Sequence, residues 1–143
     1  GISTLGQPEK ALDYFGRALS VNPQNPVIYY NRGIVYYQLR KFTEATADFD
    51  HIIAEEMPNI AQALNMRAII YSSQAKHYLA IDDLTLAIEH NPEYSISYNR
   101  RALIYKALGK SQEAITDLKI YIELESNDEL RQEAEKLLRT WEG

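Results

Sequence analysis

Tyr29-Tyr30-Asn31-Arg32-Gly33-Ile34-Val35-Tyr36-Tyr37 decides the fold, because its small residue and its aromatic return twice in phase. Gly33 is followed by Ala68 and Ala102, at spacings of 35 and 34 residues, and Tyr36 by Tyr71 and Tyr105 at the same spacings. Ala45, Ala80 and Ala114 repeat in step, as do Phe49, Leu84 and Leu118. Pro23 and Pro92 lie 69 residues apart, which is two such steps. A period in this range marks small supersecondary units that bury their apolar faces against their neighbours. The one-residue slip falls between Ala45 and Ala68, and Glu55-Glu56-Met57-Pro58-Asn59 is the loop that can hold it.

Each unit reads as two helices. Apolar positions in 29–37 recur every three or four residues, the helical period. A short turn follows, Leu39-Arg40-Lys41 or Leu108-Gly109-Lys110, and then a second amphipathic stretch such as Glu113-Ala114-Ile115-Thr116-Asp117-Leu118. Asn22-Pro23 and Asn91-Pro92 close two of these stretches, since proline lacks the donor and disfavours helix in the residue before it. No alternating run bounded by turns suggests a strand. The expected organisation is one domain: a partial first repeat at 1–25 (mainly its second helix), repeats at 26–60, 61–94 and 95–126, and a capping helix at 127–143.

Composition narrows the function classes. The chain has 143 residues, 45% hydrophobic and 24% charged, as expected of an ordinary globular domain. It contains no cysteine, so thiol catalysis, disulfides and thiolate metal sites are excluded. No apolar run reaches the roughly 18 residues of a membrane span. No charged-then-apolar leader opens the chain, which favours the cytoplasm without fixing it. A net charge of −5 argues against a general nucleic-acid binder. Eleven tyrosines, against three phenylalanines and one tryptophan, are the compositional oddity.

With these residues aligned, the chain resembles the tetratricopeptide repeat family. Tyr29, Gly33, Tyr36, Ala45 and Phe49 match that family's pattern in one unit. Leu64, Ala68, Tyr71, Ala80, Ala87 and Pro92 match in the next, and Tyr98, Ala102, Tyr105 and Ala114 in the third. Ala11, Phe15, Ala18 and Pro23 match the second half of an earlier unit. Ile52 and Tyr121 depart from it where the family prefers alanine, and Met57 and Ser126 replace the closing proline. The resemblance implies an all-α, right-handed solenoid of antiparallel helix pairs.

Expectations for the ends follow. Gly1 to about Leu5 are all that remain of a first helix, so the chain reads as a fragment whose Ala11/Phe15 face is left bare. Ser126 is expected to cap the last helix, with Glu129 completing a capping box. In that helix Leu130, Ala134, Leu137, Leu138 and Trp141 form an apolar stripe, and Glu133, Lys136 and Arg139 a wet face.

Two residue series are candidates for a role. Arg32, Arg67 and Arg101 precede the small residue of each first helix, and Asp48, Asp83 and Asp117 recur in step on the second. Three structural ion pairs are expected, because guanidinium grips carboxylate with two parallel bonds. Asn31, Asn65 and Asn99 fall on the first helices, although the slip puts Asn31 out of phase by one residue, about 100° of rotation. The resemblance implies that this face lines an inner curve that binds extended peptides. The expected peptide-binding residues are Tyr30, Asn31, Ile34, Tyr37, Asn65, Met66, Ile69, Asn99, Arg100, Leu103 and Lys106. Aliphatic and aromatic anchors among amides suit a partly apolar peptide. Arg100, Arg101, Lys106 and Lys110 cluster on the sequence and could receive an acidic stretch.

The carboxylate clamp of some co-chaperone repeats is matched by Asn31 and Arg100 alone, since Gln62, Met66 and Ile96 stand where its other residues would be. His51, His77 and His90 have no i, i+3 or i+4 spacing, so no metal is expected. No nucleophile set, phosphate loop or cofactor motif is visible, so no enzyme activity and no cofactor are expected. The favoured function is a protein-interaction scaffold that binds a peptide on its concave face. Alternatives are a self-association module forming a homo-oligomer through the first-helix face or the groove, and a regulatory segment of a larger enzyme.

Overall fold

The computed structural model describes residues 7–143, which form eight α-helices and, among the described residues, no strand. They are α1 (Pro8–Val21), α2 (Pro26–Gln38), α3 (Phe42–Ala54), α4 (Ile60–Ser73), α5 (His77–His90), α6 (Ser95–Ala107), α7 (Ser111–Leu124) and α8 (Asp128–Glu142). The expectation for Gly1 to Leu5 lies outside the described residues. The chain divides into two compact units, one ending at Ile70 and the other beginning at Tyr71.

The helix ends explain the period. At the end of α2, Lys41 N–H donates to Tyr36 O at 2.8 Å and Arg40 N–H to Tyr37 O at 2.9 Å, with Arg40 at φ 62°. The same pair of bonds closes α4 through Ala75 (φ 61°) and α6 through Gly109 (φ 78°). This left-handed reversal satisfies the last free carbonyls of a helix. It turns the chain back within three residues, so α2 and α3 form one hairpin and α6 and α7 another.

The end of α3 has no proline and uses the same device. Met57 N–H reaches Ile52 O at 3.0 Å, Glu56 sits at φ 46°, and Met57 and Ile52 belong to one buried cluster. That apolar contact accompanies such caps, and it accounts for the extra residue at 55–59. By contrast, α1 and α5 run into Asn22 and Asn91 in non-helical conformations just before Pro23 and Pro92. Tyrosine then ties each proline corner to the following helix: Tyr29 Oη donates to Pro23 O at 2.9 Å, and Tyr98 Oη to Pro92 O at 3.0 Å. Two of the eleven tyrosines are thereby explained. Asn25 starts α2 by accepting from Val27 and Ile28 N–H, with Pro26 at the first helical position.

The core of the first unit gathers Ala45, Phe49, Ile52, Met57, Ala63, Met66 and Ile70, with Tyr29, Tyr30, Ile34, Tyr36, Tyr37 and Ile69 packed against it. Gly33 is needed there, because a Cβ on it would lie 2.7 Å from Phe49 Cε1 and Cζ. Ala11 and Phe15 are buried beside Val35, Leu12, Ile28 and Leu39. The face expected to be bare is covered, because α2 packs its own apolar residues on it. In the second unit Tyr98, Ala102, Leu118, Tyr121 and Ala134 form the core, covered by Leu137, Leu138 and Trp141 of α8.

Asn127, not Ser126, caps α8 by accepting from Leu130 N–H at 3.0 Å. The displacement follows from Glu125. Its carboxylate accepts from Asn127 N–H and from the Ser95 hydroxyl, both at 3.0 Å, while Arg131 Nη1 donates to its carbonyl oxygen at 3.2 Å. One carboxylate thus joins the start of α6 to the start of α8.

Candidate functional site

Two arginine–aspartate pairs of the series bridge paired helices, α2 to α3 and α6 to α7. Arg32 grips Asp48 with Nε to Oδ2 at 2.9 Å and Nη2 to Oδ1 at 2.6 Å. Arg101 grips Asp117 in the same way at 2.7 and 2.8 Å and adds Thr85 Oγ1 at 3.1 Å. Asp48 and Asp117 are buried and the arginines half-buried. Each pair raises its arginine's already high pKa, chiefly through the hydrogen bond to the aspartate and against the opposing effect of burial, so the cation persists. Arg67 donates to Asp50 at 2.9 Å within the first unit, and Asp83 is buried in the second.

The expected peptide-binding residues separate once burial is known. On α2, Asn31 is exposed, whereas Tyr30, Ile34 and Tyr37 are half-buried against the first core. Tyr30 packs on Phe49 with ring centroids 5.9 Å apart, and Tyr37 on Phe42 at 5.8 Å. On α4, Asn65 is only 1% exposed and Met66 8%, and Ile69 leans on the same core. Asn65 Nδ2 donates to Ala61 O at 3.0 Å, one turn back on its own helix. Asn65 and Met66 were expected on an open face, and the structure buries both. The helical period alone cannot tell an inner curve from a packed side, because α4 is apolar nearly all round: Ile60, Ala61, Ala63, Leu64, Ala68 and Ile70 are buried as well.

The second unit does open a cleft. Asn99 and Leu103 of α6 face Leu130, Glu133, Ala134 and Leu137 of α8 across a volume of about 190 Å³, with Tyr121 of α7 also lining it. Leu103 is 47% exposed and Leu130 44%. The volume falls below the roughly 300–1,000 Å³ of typical small-molecule pockets, so it suits one or two side chains of a polypeptide. Of its lining, sequence reasoning reached Asn99 and Leu103 and left the α8 residues to a cap. The available signal was the stripe Leu130, Ala134, Leu137, whose first member has nothing above it on its own helix. Glu133, expected on a wet face, is exposed there and borders the cleft as well.

The basic cluster is dispersed. Arg101 is committed to Asp117 and Thr85, and the Lys106 ammonium lies 5.5 Å over the Trp141 ring. Arg100 is half-buried. Around the cleft, Tyr121 is 4% exposed, and burial, then Glu125 and Glu133, push its phenol pKa up. Glu125 is held below the usual carboxylate range, first by the Asn127 N–H, with Ser95 and Tyr121 adding to the effect. Elsewhere His51 stacks on Tyr29 with centroids 4.1 Å apart. Among the described residues no group of three or more His, Asp or Glu could hold a metal, and no helix is long and apolar enough to cross a membrane.

Known proteins share both pattern and fold. Profiles of the family described as Tetratricopeptide repeat match residues 4–70 and 84–116. Sperm-associated antigen 1 of Rattus norvegicus is 33% identical over 88 residues, which cover 62% of this chain and 10% of that protein. The chain spans only about a tenth of the length of the curated relatives it matches. Among solved structures, the first repeat domain of Spaghetti, bound to the HSP90 peptide SRMEEVD, superposes with a TM-score of 0.70. It is 28% identical and covers 83% of this chain and 91% of its own. MamA superposes with a TM-score of 0.71 at 20% identity, covering 96% of this chain and 88% of its own. The fold is thus the all-α helix-pair fold of the solved tetratricopeptide repeat solenoids.

Proposed function

Because the chain belongs to the tetratricopeptide repeat family, we propose that it is a protein-interaction module that holds a segment of a partner protein without covalent chemistry. The observation that carries this reading is the cleft between α6 and α8, where two leucines stay largely exposed beside a half-buried asparagine. Apolar side chains left in water at the mouth of a concavity gain from being covered, at about 25 cal/mol per Å². Asn99 offers a donor and an acceptor to a peptide backbone, and Leu103, Leu130 and Leu137 offer an apolar seat. Asn31, exposed on α2, provides a similar amide in the first unit. The likeness to a repeat domain solved with a bound peptide supports the same use of the fold here.

The test is binding of an immobilised peptide library to the wild-type chain and to Asn99→Ala and Leu103→Asp variants, each checked for unchanged helicity by circular dichroism. Binding should fall at least severalfold in both variants. A library that binds all three proteins alike would remove the cleft from the reading.

A further inference from the structure

The cleft between α6 and α8 also has a sign. Glu133 is the one carboxylate among its lining residues, which are otherwise Asn99, Leu103, Tyr121, Leu130, Ala134 and Leu137. No ion pair among the described residues engages Glu133, whereas Arg131 on the same helix turns to Asp128 and Glu135. On α6, Lys106 lies over the Trp141 ring, and neither of these residues lines the cleft. Tyr121, which also lines the cleft, has its phenol pKa pushed up by burial first and then by Glu125 and Glu133. From Tyr71 onward the chain carries nine Lys and Arg against thirteen Asp and Glu, so the second unit holds −4 of the total −5.

We propose that this cleft selects a peptide segment in which a Lys or Arg stands beside an aliphatic side chain, with Glu133 reading the cation and Leu103, Leu130 and Leu137 seating the apolar group. The inference rests on the interaction reading above and deepens it by naming the chemistry of the occupant. Glu133 contributes discrimination more than affinity, since a charge at the rim of an interface mainly excludes partners of like sign.

The experiment measures fluorescence anisotropy with three labelled peptides that differ only at the residue before a central Leu-Leu pair, which is Lys, Gln or Glu. The wild-type chain should bind in the order Lys, Gln, Glu, with about two- to fivefold between steps, as expected for a partly exposed ion pair. The steps should shrink as salt is raised from 50 to 500 mM. Glu133→Gln should level the Lys and Gln peptides, and Glu133→Lys should reverse the order. Equal binding of all three peptides, preference for the Glu peptide, or an order that survives Glu133→Gln would each overturn the inference. In those cases binding that still falls in Leu103→Asp would leave the interaction reading standing. Binding of no peptide by the folded protein would end both.

Discussion

Substituting Gly33 by alanine tests the packing on which every repeat is built. The new Cβ would stand 2.7 Å from Phe49 Cε1 and Cζ and 3.2 Å from Cδ1, against an ordinary carbon–carbon separation of about 3.5–4.0 Å. Phe49 is fully buried among Ala45, Ile52, Met66 and Ile70, so its ring has no free space to take. Overpacking of this kind costs about 1–3 kcal/mol. Alanine in a helix interior returns about 0.8–1 kcal/mol over glycine. The expected net loss is therefore about 0–2 kcal/mol.

The third repeat shows how the clash is resolved, for there Ala102 meets Leu118 and both are fully buried in one cluster. In a Phe49→Leu background, then, Gly33→Ala should change sign and stabilise by about 0.5–1 kcal/mol, because only the propensity gain remains. Urea unfolding of the four proteins, followed by circular dichroism at 222 nm, gives the double-mutant cycle. A coupling of about 1–3 kcal/mol is expected. Effects that add to within about 0.5 kcal/mol would refute the reasoning, since residues out of contact behave that way.

Two further substitutions probe the turns and the α8 cap. Ala75 occupies at φ 61° the position that Gly109 fills at φ 78°, so Ala75→Gly should raise stability by about 0.5–1 kcal/mol in the same urea assay, and a loss would contradict the turn geometry. Glu125 is held below the usual carboxylate range, so it contributes stability above the unfolded value of about 4.3, and that stability is lost as pH falls through the lower folded value. Wild type should therefore exceed Glu125→Gln in urea midpoint at pH 6, and the gap should narrow as pH falls toward 3. A gap that is constant across this range would separate Glu125 from the acid response.

Much of the architecture was legible in the chain because its determinants are local and repeated. Small and large residues returning every 34 or 35 positions, and prolines closing two second helices, identify hairpins of helices without reference to any distant contact. Two members of the Arg–Asp series were legible for the same reason: Arg32 and Asp48 are sixteen residues apart, as are Arg101 and Asp117, so each of these pairs lies within a single hairpin.

Exposure was another matter. Whether an amide on the first-helix face meets water or the core depends on what is laid against it, and no residue in its own helix records that. Asn31 stays open while Met66, which aligns with it one repeat later, is sealed. The capping residue moved from Ser126 to Asn127 because Glu125 found partners at Ser95 and Asn127, one of them thirty residues away. The cleft required α8 to stop short of covering Leu103, a matter of packing between helices. Periodicity along a chain thus dictates which helices form and pair, because hydrogen bonds and side-chain spacing act over a few residues. Which of their surfaces remain available to a partner is settled only when the helices come together, because burial is a property of the neighbours.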